Sequence, residues 1–247
     1  MSEESQLSKS LDAAVVDVKD KIVLVTGANR GIGKAFVDVL LRRGVSKVYA
    51  GVRNVAHATE DVFQTYDKNK VVPIYIDLSK PESIEKAATI AKDVHVVINN
   101  AGILMRLSEG KESPSFSLFD REAITNFQQE MAVNVYGLMY VAQHFLPVLQ
   151  TNLSNDTDGT AAFIQINSVG SFRCAVPQVC TYSASKAAAY SFTQSIRKSL
   201  QESTIASSQR IRVLSVHPGP IATDMIVQAG ADFVKLAESP TTVHRSR

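Results

Sequence analysis

The sequence predicts an α/β fold built on a doubly wound parallel sheet. Three observations favour this class. Short β-branched segments alternate with longer helical patterns along most of the 247 residues. A glycine-rich turn follows the first of these segments, and the later polar motifs also stand directly after predicted strands. Repeated alternation of strand and helix predicts parallel strands, right-handed crossovers and helices on both faces of the sheet.

Six strands are expected from short and mostly apolar runs. They cover residues 22–26, 47–51, 71–76, 94–98, 161–166 and 211–216. Helical patterns are expected at residues 35–43, around 58–66, and at 82–92, 131–149 and 182–201. Residues 1–20 are polar with scattered apolar positions, so we expect a loosely held leader followed by one domain over residues 21–247.

Composition narrows the function classes. Hydrophobic residues make up 45% and charged residues 20% of the chain, and the formal net charge is +2. This charge is too small to argue for nucleic acid or an anionic membrane as a partner. No apolar run approaches the roughly 18 residues that span a bilayer. The N-terminus lacks the layout of a signal peptide, and we therefore expect a cytoplasmic protein.

Histidine and cysteine do not suggest a metal centre. The histidines are scattered without ligand spacing, and we interpret all five as structural or surface residues: His57, His95, His144, His217 and His244. Cys174 and Cys180 also lack metal-ligand or redox spacing. Two thiols in a reducing cytosol are favoured for them, with a disulfide as the alternative.

A glycine-rich turn links the first strand to the first helix. Gly27, Gly31 and Gly33 follow the spacing G-x-x-x-G-x-G, which differs from the commoner G-x-G-x-x-G. Gly27 permits a tight turn, Gly31 lets the backbone approach a pyrophosphate, and Gly33 allows the helix to pack closely on the strand. The helix N-terminus then faces the phosphates. The strand before and the helix after favour a dinucleotide site over an ordinary turn.

The end of the second strand bears on the choice of dinucleotide. A carboxylate there would accept hydrogen bonds from a ribose 2′-hydroxyl, but this chain has Arg53 instead. Arg30 lies within the glycine turn. Two guanidinium groups near one ribose suit a 2′-phosphate, so we expect NADP(H) to be preferred over NAD(H). The alternative is that both arginines are solvated surface residues.

Tyr182 and Lys186 begin the last predicted helix. Their spacing of four places both side chains on one face, one turn apart. A free phenol has a pKa of about 10. A nearby ammonium favours the phenolate, so this pair is expected to donate or accept a proton near neutral pH. Taken alone, the pair is also compatible with an ordinary amphipathic helix.

Seven motifs occur together and in one order over about residues 20–226. They are Thr26-Gly-x-x-x-Gly-Ile-Gly33, Asp77-Leu78, Asn99-Asn-Ala-Gly102, Asn134 in Val133-Asn-Val, Ser168 in Ile166-Asn-Ser, Tyr182-x-x-x-Lys186, and Pro218-Gly219 with Thr223. With these motifs the chain resembles the classical short-chain dehydrogenase/reductase family, and in particular its carbonyl and ketone reductases. The resemblance implies a Rossmann fold and hydride transfer between a nicotinamide cofactor and a carbonyl or alcohol substrate.

The resemblance also implies catalytic roles for four residues. Tyr182 would be the acid that protonates the carbonyl oxygen, or the base in the reverse direction. Lys186 would lower the phenol pKa and hold the nicotinamide ribose, and Ser168 would hydrogen-bond the substrate oxygen. Asn134 would hold a water that links Lys186 to solvent. The alternatives are that Asn134 only caps or kinks its helix, and that Ser171 takes the role of Ser168.

A larger set would bind the cofactor. The resemblance places Asp77 and Leu78 at the adenine, three residues at the adenosine ribose, and the segment after the sixth strand at the nicotinamide. The full expected set is Gly27, Asn29, Arg30, Gly31, Ile32, Gly33, Arg53, Asp77, Leu78, Asn100, Ala101, Gly102, Tyr182, Lys186, Pro218, Gly219, Ile221 and Thr223.

Two departures from the family pattern are visible. The spacing from Ser168 to Tyr182 is one residue longer than the family's usual spacing. The stretch after residue 216 accommodates a substrate loop over about residues 220–238, but the family's last helix and seventh strand are expected to be missing. That loss would leave the sixth strand as an exposed edge.

The expected function is NADP-dependent interconversion of a ketone or aldehyde and an alcohol. The expected pocket walls are Leu104, residues 169–179 and residues 222–236, which suggest a medium-sized apolar substrate. The alternative is a non-catalytic NADP-binding protein that retains the motifs but lacks a closed pocket. The resemblance further implies a homodimer through the two long helices, with a tetramer as the less favoured state.

Overall fold

The computed structural model describes residues 16–105, 122–156, 159–173, 179–221 and 223–225. Six strands form one sheet: β1 (Ile22–Thr26), β2 (Lys47–Val52), β3 (Val71–Tyr75), β4 (Val96–Asn99), β5 (Ala161–Ile166) and β6 (Ile211–Val216). Their spatial order is β3-β2-β1-β4-β5-β6, and every neighbouring pair is parallel. The doubly wound parallel sheet is therefore confirmed.

Seven α-helices connect or flank these strands in the described parts of the chain. They are α1 (Gly31–Arg42), α2 (Val55–His57), α3 (Pro81–Ile90), α4 (Glu122–Met131), α5 (Gly137–Ser154), α6 (Cys180–Gln201) and α7 (Ala206–Gln209). A π-helical turn, Ala58–Val62, extends α2, and a second, Ala132–Tyr136, joins α4 to α5. A short 3₁₀ turn, Val169–Ser171, follows β5.

The bounds of most strands agree closely with the predicted ones, but β4 and two helices differ. β4 begins at Val96 because Val94 still belongs to the turn that leaves α3, where its N–H donates to Ala91 O. The helix expected around residues 58–66 starts earlier, since Asn54 caps it by accepting from the His57 N–H at 3.1 Å, and it ends as a π-helical turn. The long helix expected from residue 131 starts at residue 122.

Successive residues of β1 supply both hydrophobic cores. Leu24 packs with Phe145 and Phe163 on one face of the sheet, whereas Val23 and Val25 pack on the other face. A strand points alternate side chains to opposite faces, so a β-branched strand without polar positions is buried on both sides. This explains why continuous apolar runs, and not alternating ones, marked the strands in the sequence.

One helical stretch, Ala123–Ser154, is long and apolar enough to cross a membrane by length and composition alone. Its side chains Leu138, Val141 and Phe145 are fully buried against the sheet. A core helix of a globular domain passes the same test, and the packing identifies this stretch as such a helix.

The expected leader and the expected C-terminal loss lie mostly outside the described residues. Val16 and Val18, near the end of the expected leader, pack against the core face that includes α1, and the Asp20 N–H donates to Gly44 O at 2.9 Å. Residues 1–15 lie outside the described residues. The expected loss of a last helix and a seventh strand concerns residues after 225, which also lie outside them. In the described sheet, β6 is an edge strand.

A buried polar chain ties three strand ends together at the centre of the sheet. The Thr26 hydroxyl at the end of β1 donates to Asn99 Oδ1 at 3.0 Å. Asn99 Nδ2 donates across to Gln165 Oε1 on β5 at 2.8 Å. All three side chains are essentially inaccessible to solvent. Buried polar groups need such partners, so this chain fixes the register where the strands end.

Replacing Asn99 with Ala should destabilise the domain. The change removes both links and leaves Gln165 Oε1 buried without its donor, a loss of about 2–3 kcal/mol in the free energy of unfolding. Urea unfolding at neutral pH measures it. Asn69→Ala, in an exposed turn, is the matched control and should change the free energy by less than about 0.5 kcal/mol. Equal stabilities of the two variants would contradict a structural role for this chain.

Candidate active site and cofactor cleft

The cleft lies where the carboxyl ends of β1 and β4 adjoin. The sheet order reverses direction between these two strands, because β2 and β3 follow on one side and β5 and β6 on the other. Ligands of open α/β sheets bind outside the strand ends at such a switch point. Apart from Asn134, which lies between α4 and α5, the described residues of the expected cofactor and catalytic sets follow the carboxyl ends of the six strands.

The glycine turn has the geometry that the sequence predicted. Gly27 and Gly31 have positive φ angles of 66° and 54°, which L side chains rarely adopt. A Cβ atom on Gly33 would lie 2.0 Å from Gly27 O and 2.7 Å from Asn100 Nδ2. The turn can therefore close on α1 only with glycine at position 33.

The start of α1 fits a phosphate group. Arg30 occupies the N-cap position in an extended conformation, its side chain makes no capping hydrogen bond, and the described first turn carries no acidic residue. The N–H groups of a helix start are left without intrahelical acceptors and attract anions. The methyl group of Thr223 lies 3.1 Å from the position of a Cβ on Gly31, which brings the substrate loop over the turn. Asn29 and Ile32 are both half-buried in this turn.

The two arginines expected at the ribose differ in their partners. Arg30 forms an ion pair with Asp224, with Nη1 3.0 Å from Oδ2, and both side chains are mostly exposed. This pair spans the cleft from the glycine turn to the substrate loop. Arg53 is exposed just after β2, and its charge reaches Asp77 at the end of the neighbouring β3. Arg53 is therefore exposed beside a carboxylate, while Arg30 has Asp224 as its anionic partner.

Asp77 is held as a carboxylate. Burial opposes its ionisation, but hydrogen bonds from the Ser79 hydroxyl and N–H outweigh burial and lower the pKa of the Asp77 carboxyl. Those contacts measure 2.7 Å and 3.0 Å. The positive charges of Arg53 and Lys80 add to this effect. An ionised acceptor at the end of β3 suits the amino group of an adenine.

Other expected cofactor residues have structural partners in the described chain. Asn100 Nδ2 donates to Thr26 O at 2.9 Å, and the Ala101 N–H donates to the Thr26 hydroxyl at 2.9 Å. Leu78 packs closely under Gly137, where a Cβ would lie 2.7 Å from Leu78 Cβ. Asn100 thus supports the glycine turn with its side chain.

The segment after β6 runs beside the catalytic residues. Pro218 O accepts from the Val169 N–H at 3.0 Å. A Cβ on Gly219 would meet no atom of the described residues within 4 Å, and Ile221 is buried.

Tyr182 and Lys186 both lie on α6, near its start. Lys186 Nζ is 5.8 Å from the centre of the Tyr182 ring and donates to Ile166 O at 3.0 Å. The Lys186 side chain is 3% exposed. The amine therefore lies under the tyrosine and is anchored to the end of β5.

Ser168 is the serine that contacts the phenol. Its hydroxyl forms a hydrogen bond with Tyr182 and also accepts from the Gly170 N–H at 3.0 Å. Ser171, its rival, is buried and accepts from the Ser168 N–H at 3.3 Å, which completes a capping box around the 3₁₀ turn. The structure thus brings Ser168 to the tyrosine and assigns Ser171 to local backbone support.

Tyr182 and Lys186 have pKa values shifted in directions that the sequence did not predict. Burial raises the pKa of Tyr182 to about 12, and the Ser168 hydrogen bond only partly offsets it. Burial also lowers the pKa of Lys186 to about 8. The sequence predicted that Lys186 would lower the phenol pKa. That prediction fails here because the amine loses solvation itself and points to a backbone carbonyl, although part of the Tyr182 side chain still reaches solvent.

Glu130 is a buried acid that sequence reasoning missed. It is 1% exposed, and its Oε1 accepts from the Met105 N–H at 3.0 Å. Burial raises the pKa of the Glu130 carboxyl, and hydrogen bonding from Met105 and Thr181 only partly offsets this effect. Oε2 is buried and has no hydrogen bond of normal geometry among the described residues. Its charge contributes to the raised pKa of Tyr182. The available signal was its spacing of four from Asn134, which places both on one helical face.

Glu130 also supports an apolar wall beside the tyrosine. By holding Met105 it fixes the preceding Leu104, whose side chain packs with Val179, Tyr182 and Met225. Of the expected pocket walls, residues 174–178, 222 and 226–236 lie outside the described residues, and so does Cys174. In the described part of the wall, Leu104, Val179 and Met225 are apolar, whereas Arg173 and Asp224 are charged.

Asn134 lies in the second π-helical turn and is 2% exposed. Its Oδ1 accepts from the Ile103 N–H at 2.9 Å, while Nδ2 donates to Ile103 O at 2.9 Å and to the Ser185 hydroxyl at 3.0 Å. A Cβ on Gly102 would lie 3.0 Å from Asn134 Oδ1 and 3.3 Å from Lys186 Nζ. Glycine at this position keeps the space between the amide and the amine open.

Burial of Lys186 predicts a pH-dependent stability. Above about pH 8 the folded chain releases a proton that an unfolded lysine, with a pKa of about 10.4, still binds, so the free energy of unfolding rises with pH. The expected gain is about 2 kcal/mol between about pH 8 and about pH 9.5, below the range in which phenols titrate. Urea unfolding at both pH values measures it.

Two variants isolate this effect. Lys186→Met should lose the rise with pH, because the titrating amine is gone. Lys198→Met, which changes an exposed lysine on the same helix, should keep it. An undiminished rise in Lys186→Met would show that Lys186 is not the group responsible.

Comparisons with known proteins agree with this geometry. A family model for short chain dehydrogenases matches residues 21–232. A short chain dehydrogenase from Burkholderia cenocepacia J2315, solved in complex with NADP, is 32% identical and has a TM-score of 0.71, with 92% of this chain and 82% of that chain covered. A Burkholderia phymatum short chain dehydrogenase/reductase solved with NAD shares the fold, at 18% identity, a TM-score of 0.70, and coverage of 93% and 84%.

A curated relative extends the match beyond bacteria. Estradiol 17-beta-dehydrogenase 2 of Rattus norvegicus is 28% identical over 225 residues, which are 88% of this chain and 52% of that protein. The family match over most of the chain, together with the parallel sheet and the glycine turn, shows that this chain belongs to the short chain dehydrogenase family of oxidoreductases.

Proposed function

We propose that the chain is an NADP(H)-dependent oxidoreductase that interconverts a ketone or aldehyde and the corresponding alcohol. The observation that carries this proposal is the hydrogen bond from Ser168 to the phenol of Tyr182, with Lys186 beneath the ring. Two donors then converge on one point beside an apolar wall. This arrangement favours an enzyme over the non-catalytic alternative.

The residues fit a nicotinamide dinucleotide, which supplies the hydride when bound. The uncapped start of α1 would hold its pyrophosphate, and the segment at Gly219 would hold its nicotinamide end. Asp77 and Arg53 lie at the strand ends expected for the adenosine half. These features do not depend on a bound substrate. Binding of the free dinucleotide can therefore be tested without one.

Tyr182 and Ser168 do the proton chemistry. A carbonyl oxygen that gains negative charge needs hydrogen-bond donors and a proton. With a pKa of about 12, the Tyr182 phenol is fully protonated at neutral pH and can give its proton to an alkoxide, which is the stronger base. The Ser168 oxygen already accepts from Gly170, so its proton would turn from the phenol to the substrate oxygen when a carbonyl compound binds. The site therefore holds the proton that the reduction of a carbonyl requires.

Lys186 and Asn134 complete the proposed path for the proton. Lys186, with a pKa of about 8, is mainly protonated near neutral pH and can return a proton towards the phenol. Gly102 keeps the space between Lys186 and the Asn134 amide open, which suits a water between them. Asn134 would thus act as an anchor for that water while its other contacts hold residue 103.

The preference for NADP(H) rests mainly on Arg53. It is exposed at the end of β2, where the ribose 2′ position of a bound dinucleotide would lie. The Burkholderia cenocepacia relative holds NADP, which supports the same choice here. Arg30 would have to exchange Asp224 for the phosphate, or keep Asp224 and contribute only its charge.

The substrate class follows from the apolar wall. Leu104, Val179 and Met225 surround the tyrosine with hydrophobic side chains, which suits a medium-sized apolar carbonyl compound. A relative named for estradiol supports an apolar alcohol or ketone.

We also propose a cytoplasmic homodimer without a nucleic acid or membrane partner. Four large hydrophobic side chains are exposed along the α4–α5 stretch: Ile124, Phe127, Tyr136 and Met139. An apolar surface of this kind on a long helix suits contact with a second copy of the chain.

Tyr182→Phe should retain NADPH binding and lose turnover by about two to four orders of magnitude, since the ring stays and only the proton donor is removed. NADPH binding is followed by nicotinamide fluorescence, and turnover by NADPH consumption with acetophenone, cyclohexanone and benzaldehyde as the first probes. The chain has no tryptophan, which simplifies the fluorescence signal. Near-normal turnover in Tyr182→Phe would remove Tyr182 from the role of acid.

Arg53→Asp should shift the preference towards NADH. Loss of one charge-assisted contact with the 2′-phosphate corresponds to a change of about tenfold or more in the ratio of the two dissociation constants. Parallel titrations with NADPH and NADH give this ratio. Lys68→Asp, in an exposed turn, makes the same change of charge and should leave the ratio unchanged. If both variants behaved alike, Arg53 would not be a phosphate contact.

A further inference from the structure

His217 lies between β6 and Pro218, and both of its ring nitrogens have partners. Nδ1 is 2.9 Å from Ser168 O, the carbonyl of the serine that contacts the phenol. Nε2 is 2.7 Å from the Ser215 hydroxyl oxygen. That hydroxyl in turn accepts from Asn167 Nδ2 at 2.8 Å. Four residues therefore form one hydrogen-bonded chain behind the catalytic serine.

The carbonyl at one end fixes the direction of the whole chain. A carbonyl oxygen can only accept, so the Nδ1 of His217 must carry the proton. In the neutral ring Nε2 is then an acceptor, and the Ser215 hydroxyl must donate to it. Ser215 can consequently accept only from the amide nitrogen of Asn167, as found. The buried Asn167 side chain, 3% exposed, thus has a single compatible orientation.

Two aromatic rings hold the imidazole from different sides. The Phe172 ring is tilted 33° to it at a centroid distance of 4.3 Å, and the Tyr190 ring stands nearly perpendicular at 4.9 Å. Tyr190 lies on α6 one turn beyond Lys186, and Phe172 ends the 3₁₀ turn that Ser168 caps. The ring orientation is therefore determined by the same two elements that carry the catalytic residues.

Backbone hydrogen bonds join the residues on either side of Ser168 to residues 216 and 218, and His217 is the side chain that joins Ser168 itself to this segment. The Asn167 N–H donates to Val216 O at 2.7 Å, and the Val169 N–H donates to Pro218 O at 3.0 Å. These bonds hold residues 167 and 169 to the segment after β6. Ser168 lies between them, and its carbonyl accepts from the Ser171 N–H at 2.9 Å within the 3₁₀ turn and from Nδ1 of His217.

We propose that His217 is a positioning residue, which as the neutral Nδ1–H tautomer holds the Ser168 backbone so that the serine hydroxyl stays on the phenol of Tyr182. The sequence predicts that His217 is a structural or surface residue, and the proposed structural role is that His217 holds the backbone of Ser168. The kinetic part of this inference rests on the proposed carbonyl reduction, whereas the tautomer does not depend on it.

The tautomer is tested first, on the full chain without any ligand. Two-bond ¹H–¹⁵N correlation spectra at alkaline pH, where imidazoles are neutral, distinguish a protonated Nδ1 from a protonated Nε2. His217→Phe identifies the signal. His95 is an internal control of opposite sign, because its Nδ1 accepts from the Ile22 N–H at 3.2 Å and its Nε2 must carry the proton. A protonated Nε2 on His217 would overturn the proposal.

Two variants then separate hydrogen bonding from packing. His217→Asn can place an amide nitrogen where Nδ1 stood and so retain the donor to Ser168 O. His217→Phe keeps a ring in contact with Phe172 and Tyr190 but has no donor. Thermal unfolding and the NADPH dissociation constant show that each variant is folded and binds the cofactor.

The expected result is a split between the two variants. The ¹³C resonance of the Ser168 carbonyl should move in His217→Phe and stay near its original position in His217→Asn. With the best ketone of the probe panel, kcat should fall about tenfold in His217→Phe, with the NADPH dissociation constant unchanged, and by less than about threefold in His217→Asn. Equal carbonyl shifts in both variants would overturn the proposal.

If the wild-type chain reduced no carbonyl compound, the proposed function would fail. The two NMR results would still decide the role of His217.

Discussion

The Thr26 hydroxyl is the contact on which the site depends most. It accepts the N–H groups of Asn100 and Ala101 and donates to Asn99, so the end of β1 is joined to the end of β4 at the switch point. The glycine turn starts on one side of this joint, and Gly102, which borders the space between Asn134 and Lys186, follows on the other. The glycine turn and the space between Asn134 and Lys186 are therefore positioned by one fully buried side chain.

Burial decides the electrostatics of the catalytic residues. An ammonium near a phenol would favour the phenolate in water, but Lys186 has lost its own solvation and points to the carbonyl of Ile166. Burial and the charge of Glu130 together keep Tyr182 protonated. The phenol of Tyr182 is therefore protonated at neutral pH and able to donate a proton. A group that binds beside the tyrosine will change this balance, because it replaces the water that still reaches the Tyr182 side chain.

Much of the fold and the placement of the central residues were predictable from local sequence. The six strands followed from continuous apolar runs, and the positions of Tyr182 and Lys186 on one helix followed from their spacing. Contacts between distant segments were not predictable. Arg30 pairs with Asp224, 194 residues away, and no local pattern marks that partner. The pKa directions depend on burial, which spacing does not reveal, and the site contacts of Glu130 and His217 arise only when β6, α4 and α6 converge.

The central claim is that this chain transfers hydride to a carbonyl carbon while Tyr182 supplies the proton. The most direct measurement uses NADPH that carries deuterium at the transferable C4 position, in each of its two stereochemical forms, with a ketone from the probe panel. We predict that one form places deuterium on the carbinol carbon of the product, and that Tyr182→Phe yields almost none of this product. An alcohol product without deuterium from either form, or equal product from Tyr182→Phe, would contradict the account.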